Sequence, residues 1–464
     1  MTAQKNITVF LGIVASACSA TSCLLAISGW TKISFSLAAI SSIINIMATK
    51  RAVGNYFALS TIFMAFGFFY GIMGAMAAFT SEGLPDIFPK PYYIDIYLFN
   101  FGLAGIGSAL AITIAATEDV SYHRKAKNWK ANTLLHSAVF LALLGTAFEA
   151  LNVWRAGSIF LLFQGKAEYQ SAMSDMTGTL PSEWVVYTSA ALLGLAMSNG
   201  NKSISSIIPY IFAATPNIVL WVILGRRLEL INFALIMIAS WRFLSPVSSI
   251  SAQQVILITL TYTAIGVTYA FRGFVTSAYL SGDITIITEQ LMDVDHLLKS
   301  LNPASSEFQA PFGNFNTHIA LNRMDESRLG ESYFSGLSGP IPRFIWPDKP
   351  ISIAYEFRDI YFPQEVERGS IAGTGFSALL EAYLNFGSLG LPIFYGLLTW
   401  LIIKIDIKRY KFSSKWFDLF YILMIPFALF FPRQPMEVPF FMPLMCVIMA
   451  AIIYYSISTL SRIR

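Results

Sequence analysis

Apolar runs long enough to cross a bilayer recur along almost the whole chain, and they leave few architectures open. A spanning helix needs about 20 consecutive apolar residues. The runs predict about twelve spans, at 8–28, 33–49, 53–79, 94–117, 133–153, 184–199, 203–224, 228–245, 251–271, 371–402, 417–432 and 436–457. Three of them, 184–199, 228–245 and 417–432, are short, and tilt or a break near Pro216, Pro246 or Pro426 is expected. Only 12% of the residues are charged, against roughly 25% in soluble domains. The predicted fold is therefore an all-α polytopic membrane protein. The run that follows Lys5 lacks a small-residue cleavage site and reads as a retained helix.

Basic residues in short loops set the orientation. The 403–416 loop carries Lys404, Lys408, Arg409, Lys411 and Lys415 against one acid, Asp406. The 118–132 loop carries Arg124, Lys125, Lys127 and Lys130, and Lys50 and Arg51 separate the second and third spans. Twelve spans put all of these on one side, the cytoplasm, with both termini. The chain then divides into an N-terminal transmembrane bundle, 1–271, of about nine helices, a large external loop, 272–370, and about three C-terminal helices, 371–464. The loop holds eight Lys/Arg and thirteen Asp/Glu, so it is acidic where the cytoplasmic loops are basic. A structureless loop of this length is rare unless it is functional. Within it, Ile284, Ile287, Leu291, Val294, Leu298 and Leu301 mark the stripe of an amphipathic helix. Short helices are expected there, with extended backbone around Pro340, Pro342, Pro347 and Pro350.

Several chemistries lack their signatures. There is no HExxH, GxSxG, P-loop or dinucleotide fingerprint, and no metal cluster of the usual ligand spacing. No cofactor or metal is therefore expected. A net charge of +4 is too small to argue for nucleic acid. Cys18, Cys23 and Cys446 all lie in apolar runs and read as buried thiols.

The arginines are more informative. Arg226 and Arg227 occupy a tight external connection, against the expected bias. Either the span count is wrong there or they bind an anion. Arg323, Arg328 and Arg343 lie in the large loop, and Arg433 in the external turn Pro432-Arg433-Gln434-Pro435. A guanidinium stays charged at any pH and grips two phosphate oxygens through its planar fork. Several of them converging at the bilayer surface would suit a lipid pyrophosphate, and a salt bridge to a loop acid is the plainer role for each. Glu381 lies near the outer end of a long apolar run, where a carboxylate is costly and functional by default. His318, in the external loop, is a candidate general base or a solvated side chain.

Two stretches resemble the Wzy-type O-antigen and oligosaccharide repeat-unit polymerases. One is Ile341-Pro342-Arg343-Phe344-Ile345-Trp346-Pro347-Asp348-Lys349-Pro350. The other is the Gly-Thr-Gly-Phe-Ser…Glu-Ala-Tyr-Leu-Asn-Phe-Gly run at 373–387. Arg433 is similar to the arginine that this family shows before its last helix, and Gly225-Arg226-Arg227 resembles the arginine turn of the related O-antigen ligases. The resemblance implies a GT-C-like bundle in a bacterial inner membrane with its active site facing the periplasm. It implies glycosyl transfer without nucleotide sugar, from a glycan on undecaprenyl pyrophosphate to a sugar hydroxyl on the next lipid-linked repeat unit. Membrane lipid, a chain-length regulator and a flippase are the partners it suggests. On this reading Arg226, Arg227, Arg323, Arg328, Arg343 and Arg433 hold pyrophosphate. Glu381 and His318 are the catalytic candidates, with Glu381 either the base or the orienter of an arginine. Tyr383, Tyr361 and Trp346 could stack on sugar faces. An O-antigen-ligase-like transferase, a lipid-linked oligosaccharide flippase and an inactive structural subunit are the rival readings.

Overall fold

The computed structural model describes residues 2–56, 58–79, 88–117, 129–155, 182–198, 204–224, 226–241, 283, 285, 306–325, 328–338, 346, 348, 350–367, 376–411, 414–433 and 441–463. Among them there is no strand. Helices α1 (Thr2–Ile27), α2 (Thr31–Val53), α3 (Leu59–Phe68), α4 (Ile94–Ala115) and α5 (Ala131–Arg155) come first. Then follow α6 (Ser182–Ser198), α7 (Ile204–Ile223) and α8 (Arg227–Trp241). The region expected to form the external loop carries α9 (Ser306–Leu321), α10 (Glu331–Ser338), α11 (Ile353–Tyr361) and α12 (Pro363–Glu367). The chain closes with α13 (Ala378–Lys411), α14 (Lys415–Leu423), α15 (Ile425–Phe430) and α16 (Phe441–Ile463).

Seven helices among the described residues are long and apolar enough to cross a membrane: Lys5–Ile27, Thr31–Val53, Leu59–Met76, Ile94–Ala115, Ala131–Arg155, Ala378–Arg409 and Pro443–Leu460. Ile207–Ile223 and Glu229–Trp241 are shorter apolar helices. The expected span at 417–432 is two short helices, α14 and α15, separated at Met424 just ahead of Pro426, which has no N–H to give to a continuous helix. The expected span 251–271 and the amphipathic stripe at 284–301 lie outside the described residues.

Small and hydroxyl-bearing residues bring the first helices together. Ser19 and Ser41 share a hydrogen bond of 2.6 Å, and Ser22 and Ser34 one of 3.1 Å. In an apolar medium such contacts supply the adhesion that hydrophobic burial does not. Where α4 crosses α13, a Cβ on Gly107 would lie 2.0 Å from the Pro392 carbonyl oxygen, so only glycine allows that approach. The start of α3 is held from a distance: the buried Asp406 carboxylate accepts the Leu59 and Ser60 amides at 3.1 and 2.9 Å, and also the Ser60 and Tyr421 hydroxyls. That arrangement satisfies amide groups that a helix start leaves without partners.

Two large apolar cores result among the described residues. One joins α5, α6, α7, α8 and α14 through residues such as Leu141, Val186, Trp221, Ile236 and Ile422. The other joins α4, α9, α11 and the first half of α13 through Tyr97, Phe312, Phe315, Phe357 and Leu380. The second core ties the helices of the expected external loop to the bundle.

Candidate active site at the start of helix α13

Ser377 begins the site. Its hydroxyl oxygen accepts the Leu379 and Leu380 amides at 3.1 and 3.3 Å, a serine cap that fixes where α13 starts. Glu381 falls in the first turn, where the helix dipole favours a carboxylate. The side chain is 1% exposed.

Six residues later the helix breaks. Gly387 has φ 62° and ψ −175°, a conformation essentially confined to glycine. The break withdraws the amides that would have bonded to the carbonyls of Leu384 and Asn385. The chain segment ahead of α10 takes their place. Arg328 N–H donates to Leu384 O at 3.2 Å, Leu329 N–H to Asn385 O at 3.0 Å, and Gly330 N–H to Asn385 Oδ1 at 3.0 Å. Ser332 Oγ then donates to Glu381 Oε1 at 2.7 Å, and Asn385 Nδ2 donates to Ser332 Oγ at 2.7 Å. The Tyr333 ring lies nearly parallel to Phe394 at 5.1 Å and to Phe386 at 5.9 Å, clamping residues on both sides of the break. Burial pushes the Tyr333 hydroxyl well above its ordinary pKa, and the nearby charge of Glu381 adds to the effect.

Arg328 meets Glu356 of α11 through two hydrogen bonds, of 2.7 and 2.5 Å, while its Nε–H is buried without a partner. The hydrogen bonds to Glu356 raise the guanidinium pKa further, so its charge is permanent. Arg323 is exposed, with one bond of 3.3 Å to the Ile360 carbonyl.

His318, fully buried in α9, lies 2.9 Å from the Tyr361 hydroxyl through Nδ1. That hydroxyl oxygen also accepts the amides of Arg323 and Met324 at 2.7 and 3.1 Å. A phenol oxygen has two acceptor positions and one proton. Which of the phenol and His318 Nδ1 donates depends on the imidazole tautomer. The Tyr383 ring stands edge-on to His318 at 5.9 Å and to Phe315 at 5.3 Å.

One assembly therefore gathers Glu381, Tyr383, His318, Tyr361, Arg323 and Arg328. Tyr361 and Tyr383 are buried in it, whereas Trp346 is 43% exposed. Arg226 lies among the other group of helices, where it forms an ion pair of 2.5 Å with Glu183 at the start of α6. Arg227 begins α8 and Arg433 ends a short 3-10 turn, Phe431–Arg433. Arg343 lies outside the described residues. Among the described residues no group of three or more His, Cys, Asp or Glu could hold a metal ion. Sequence reasoning missed Ser332, Tyr333 and Glu356. The small polar Asn385, one helical turn after Glu381, was the available hint that another segment docks there.

Fold and site together define a multi-pass helical membrane protein whose loop helices pack over the end of a long apolar helix that bears a buried carboxylate. Residues 353–462, from the start of α11 into the last turn of α16, match the family model of O-antigen polysaccharide polymerase Wzy. The match supports a Wzy-type polymerase and, in general terms, a role in polysaccharide biosynthesis at a membrane. No curated protein and no solved structure matches the chain.

Proposed function

We propose that this protein polymerises undecaprenyl-pyrophosphate-linked oligosaccharide repeat units by glycosyl transfer at the periplasmic face of a bacterial inner membrane. The observation that carries this reading is the coincidence of the family match with the assembly around Glu381. In the reaction the bond between the anomeric carbon of the donor glycan and pyrophosphate oxygen breaks. A bond from the acceptor hydroxyl oxygen to that carbon forms, the hydroxyl proton passes to a base, and lipid pyrophosphate departs. Pyrophosphate is already a good leaving anion, so the main task is to stabilise charge developing on its oxygens. Preorganised guanidinium groups suit that task.

Arg323 and Arg328 are the two candidate arginines that belong to the assembly. Arg323 offers an exposed fork, and Arg328 a pinned guanidinium with a spare Nε–H. Arg343 and Arg433 remain proposed partners for the same anion, with Arg226 and Arg227 as further contributors. Glu381 is proposed to order the site through Ser332 or to take the acceptor proton. His318 is proposed as a second group that could take the acceptor proton. Of the three candidate aromatics, Trp346 is the most exposed and so the best placed to meet a sugar face.

The test is the purified protein with synthetic lipid-linked repeat units. Ladders of product support polymerisation. A single transfer onto lipid A core supports a ligase, and lipid translocation without transfer removes the enzyme reading.

A further inference from the structure

A cavity with an empty volume of about 740 Å³, counting its open side, lies among α1, α2, α3, α4 and α13. Its lining reaches Pro311 of α9, Ser377 just ahead of α13, and Pro432 next to Arg433. It thus extends from within the bundle to the end where Glu381 stands. We propose that this cavity seats the hydrocarbon chain of the lipid carrier, an isoprenoid tail. The proposal rests on the lipid-linked substrate of the preceding section and adds where the tail lies.

The chemistry of the wall points to hydrocarbon. Most of its polar groups already bond within the protein. Ser19 bonds to Ser41, Ser42 to the Ala38 carbonyl, Thr399 donates to Ser108, and Tyr97 donates to the Gly71 carbonyl at 2.9 Å. What the wall presents is chiefly aromatic and aliphatic, including Phe63, Phe68, Phe101 and Phe431. Asn45 Oδ1 is an exception, a buried acceptor without a partner for which one water suffices. The backbone also makes room. At Gly67 an added Cβ would meet nothing within 4 Å, although the residue lines the cavity. Two residues on, at Phe69–Met73, α3 widens into a π-helical turn, a feature frequent at functional sites.

The experiment uses the full chain in lipid nanodiscs with a sugar-free polyprenyl phosphate that carries a diazirine in its tail. Photolabelling is expected to concentrate in 63–71 and 97–105. Gly67→Phe, which projects a ring into the cavity, should lower that labelling about tenfold, the equivalent of two buried methylenes lost. Gly67→Ala should leave it near the wild-type level and shows that the position tolerates a side chain. Leu397→Phe, at a position 63% exposed on α13, serves as the membrane-facing control. Labelling spread along outward-facing positions and unchanged by Gly67→Phe overturns the assignment. Product ladders without labelling in the cavity would remove this proposal and spare the polymerase. Labelling in the cavity by a protein that makes no ladders would do the reverse.

Discussion

Glu381 is held by two different kinds of contact, and they separate its possible roles. Its backbone belongs to the capped first turn of α13, while its carboxylate takes the Ser332 hydroxyl from the loop. Glu381→Gln keeps an acceptor oxygen for Ser332 and removes the negative charge. If the carboxylate takes the acceptor proton, ladder formation should fall by about 10²-fold or more while donor binding persists, since positioned proton transfer contributes roughly 10²–10⁴-fold. Turnover and donor affinity both near wild type would reduce Glu381 to a fastening of the loop. Tyr361 permits a cleaner separation. Tyr361→Phe strips the amides of Arg323 and Met324 of their acceptor and removes the hydroxyl that meets His318 Nδ1. Amide groups left unpaired cost roughly 1–3 kcal/mol. A measurable drop in thermal stability is therefore expected, together with a fall in activity if the His318–Tyr361 contact serves turnover. Full activity in Tyr361→Phe would show that this contact has no part in turnover. Neither set of partners was legible beforehand. Glu381 stood out because a carboxylate in an apolar run is costly, and His318 because an imidazole can serve as a base, but Ser332 and Tyr361 are 49 and 43 residues away from them, and local patterning carries no information about such pairs.

Helix α13 illustrates why an apolar run can hide a functional break. From 378 to 402 the chain reads as one continuous span, and the expected start at 371 differs from the observed first residue, Ala378. The expected start at 371 passed over Ser377, which caps the observed helix, and a glycine followed by more apolar residues does not announce a positive φ. The break matters because it frees the acceptors that Arg328 and Leu329 occupy. Gly387→Ala forces a side chain into a backbone region that costs of order 1–3 kcal/mol. The helix should respond by straightening, which restores its own hydrogen bonds and expels the 328–330 segment. Hydrogen exchange at Leu329 and Gly330 should then accelerate by at least tenfold, and activity should drop with it. Unchanged protection in Gly387→Ala would show that the loop is held by Tyr333 and Glu381 rather than by the freed carbonyls. By contrast, the first five long spans were readable with small errors at their ends, because uninterrupted length and lack of charge determine them.

The two apolar cores share one long element. Leu379, Leu380, Leu384 and Leu391 of α13 belong to the core with the loop helices, while Leu398 and Ile402 belong to the core of the second helix group. The end of α13 that bears Glu381 and the end that bears Asp406 must therefore lie on opposite sides of any membrane this helix crosses. Asp406 sits among the basic residues Lys404, Lys408 and Lys411, which is the pattern of a cytoplasmic boundary. On the proposed orientation the loop assembly faces outward, which can be measured directly. Leu329 is 81% exposed beside the site, and Ser414 is exposed in the connection after α13. In intact spheroplasts Leu329→Cys should react with a membrane-impermeant maleimide, whereas Ser414→Cys should react only after permeabilisation. The native thiols give little background, since Cys23 and Cys446 are buried and Cys18 lies within α1. The opposite labelling pattern would place Glu381, Arg323 and Arg328 in the cytoplasm, where an externally presented lipid-linked glycan could not reach them, and the proposed reaction would have to be abandoned.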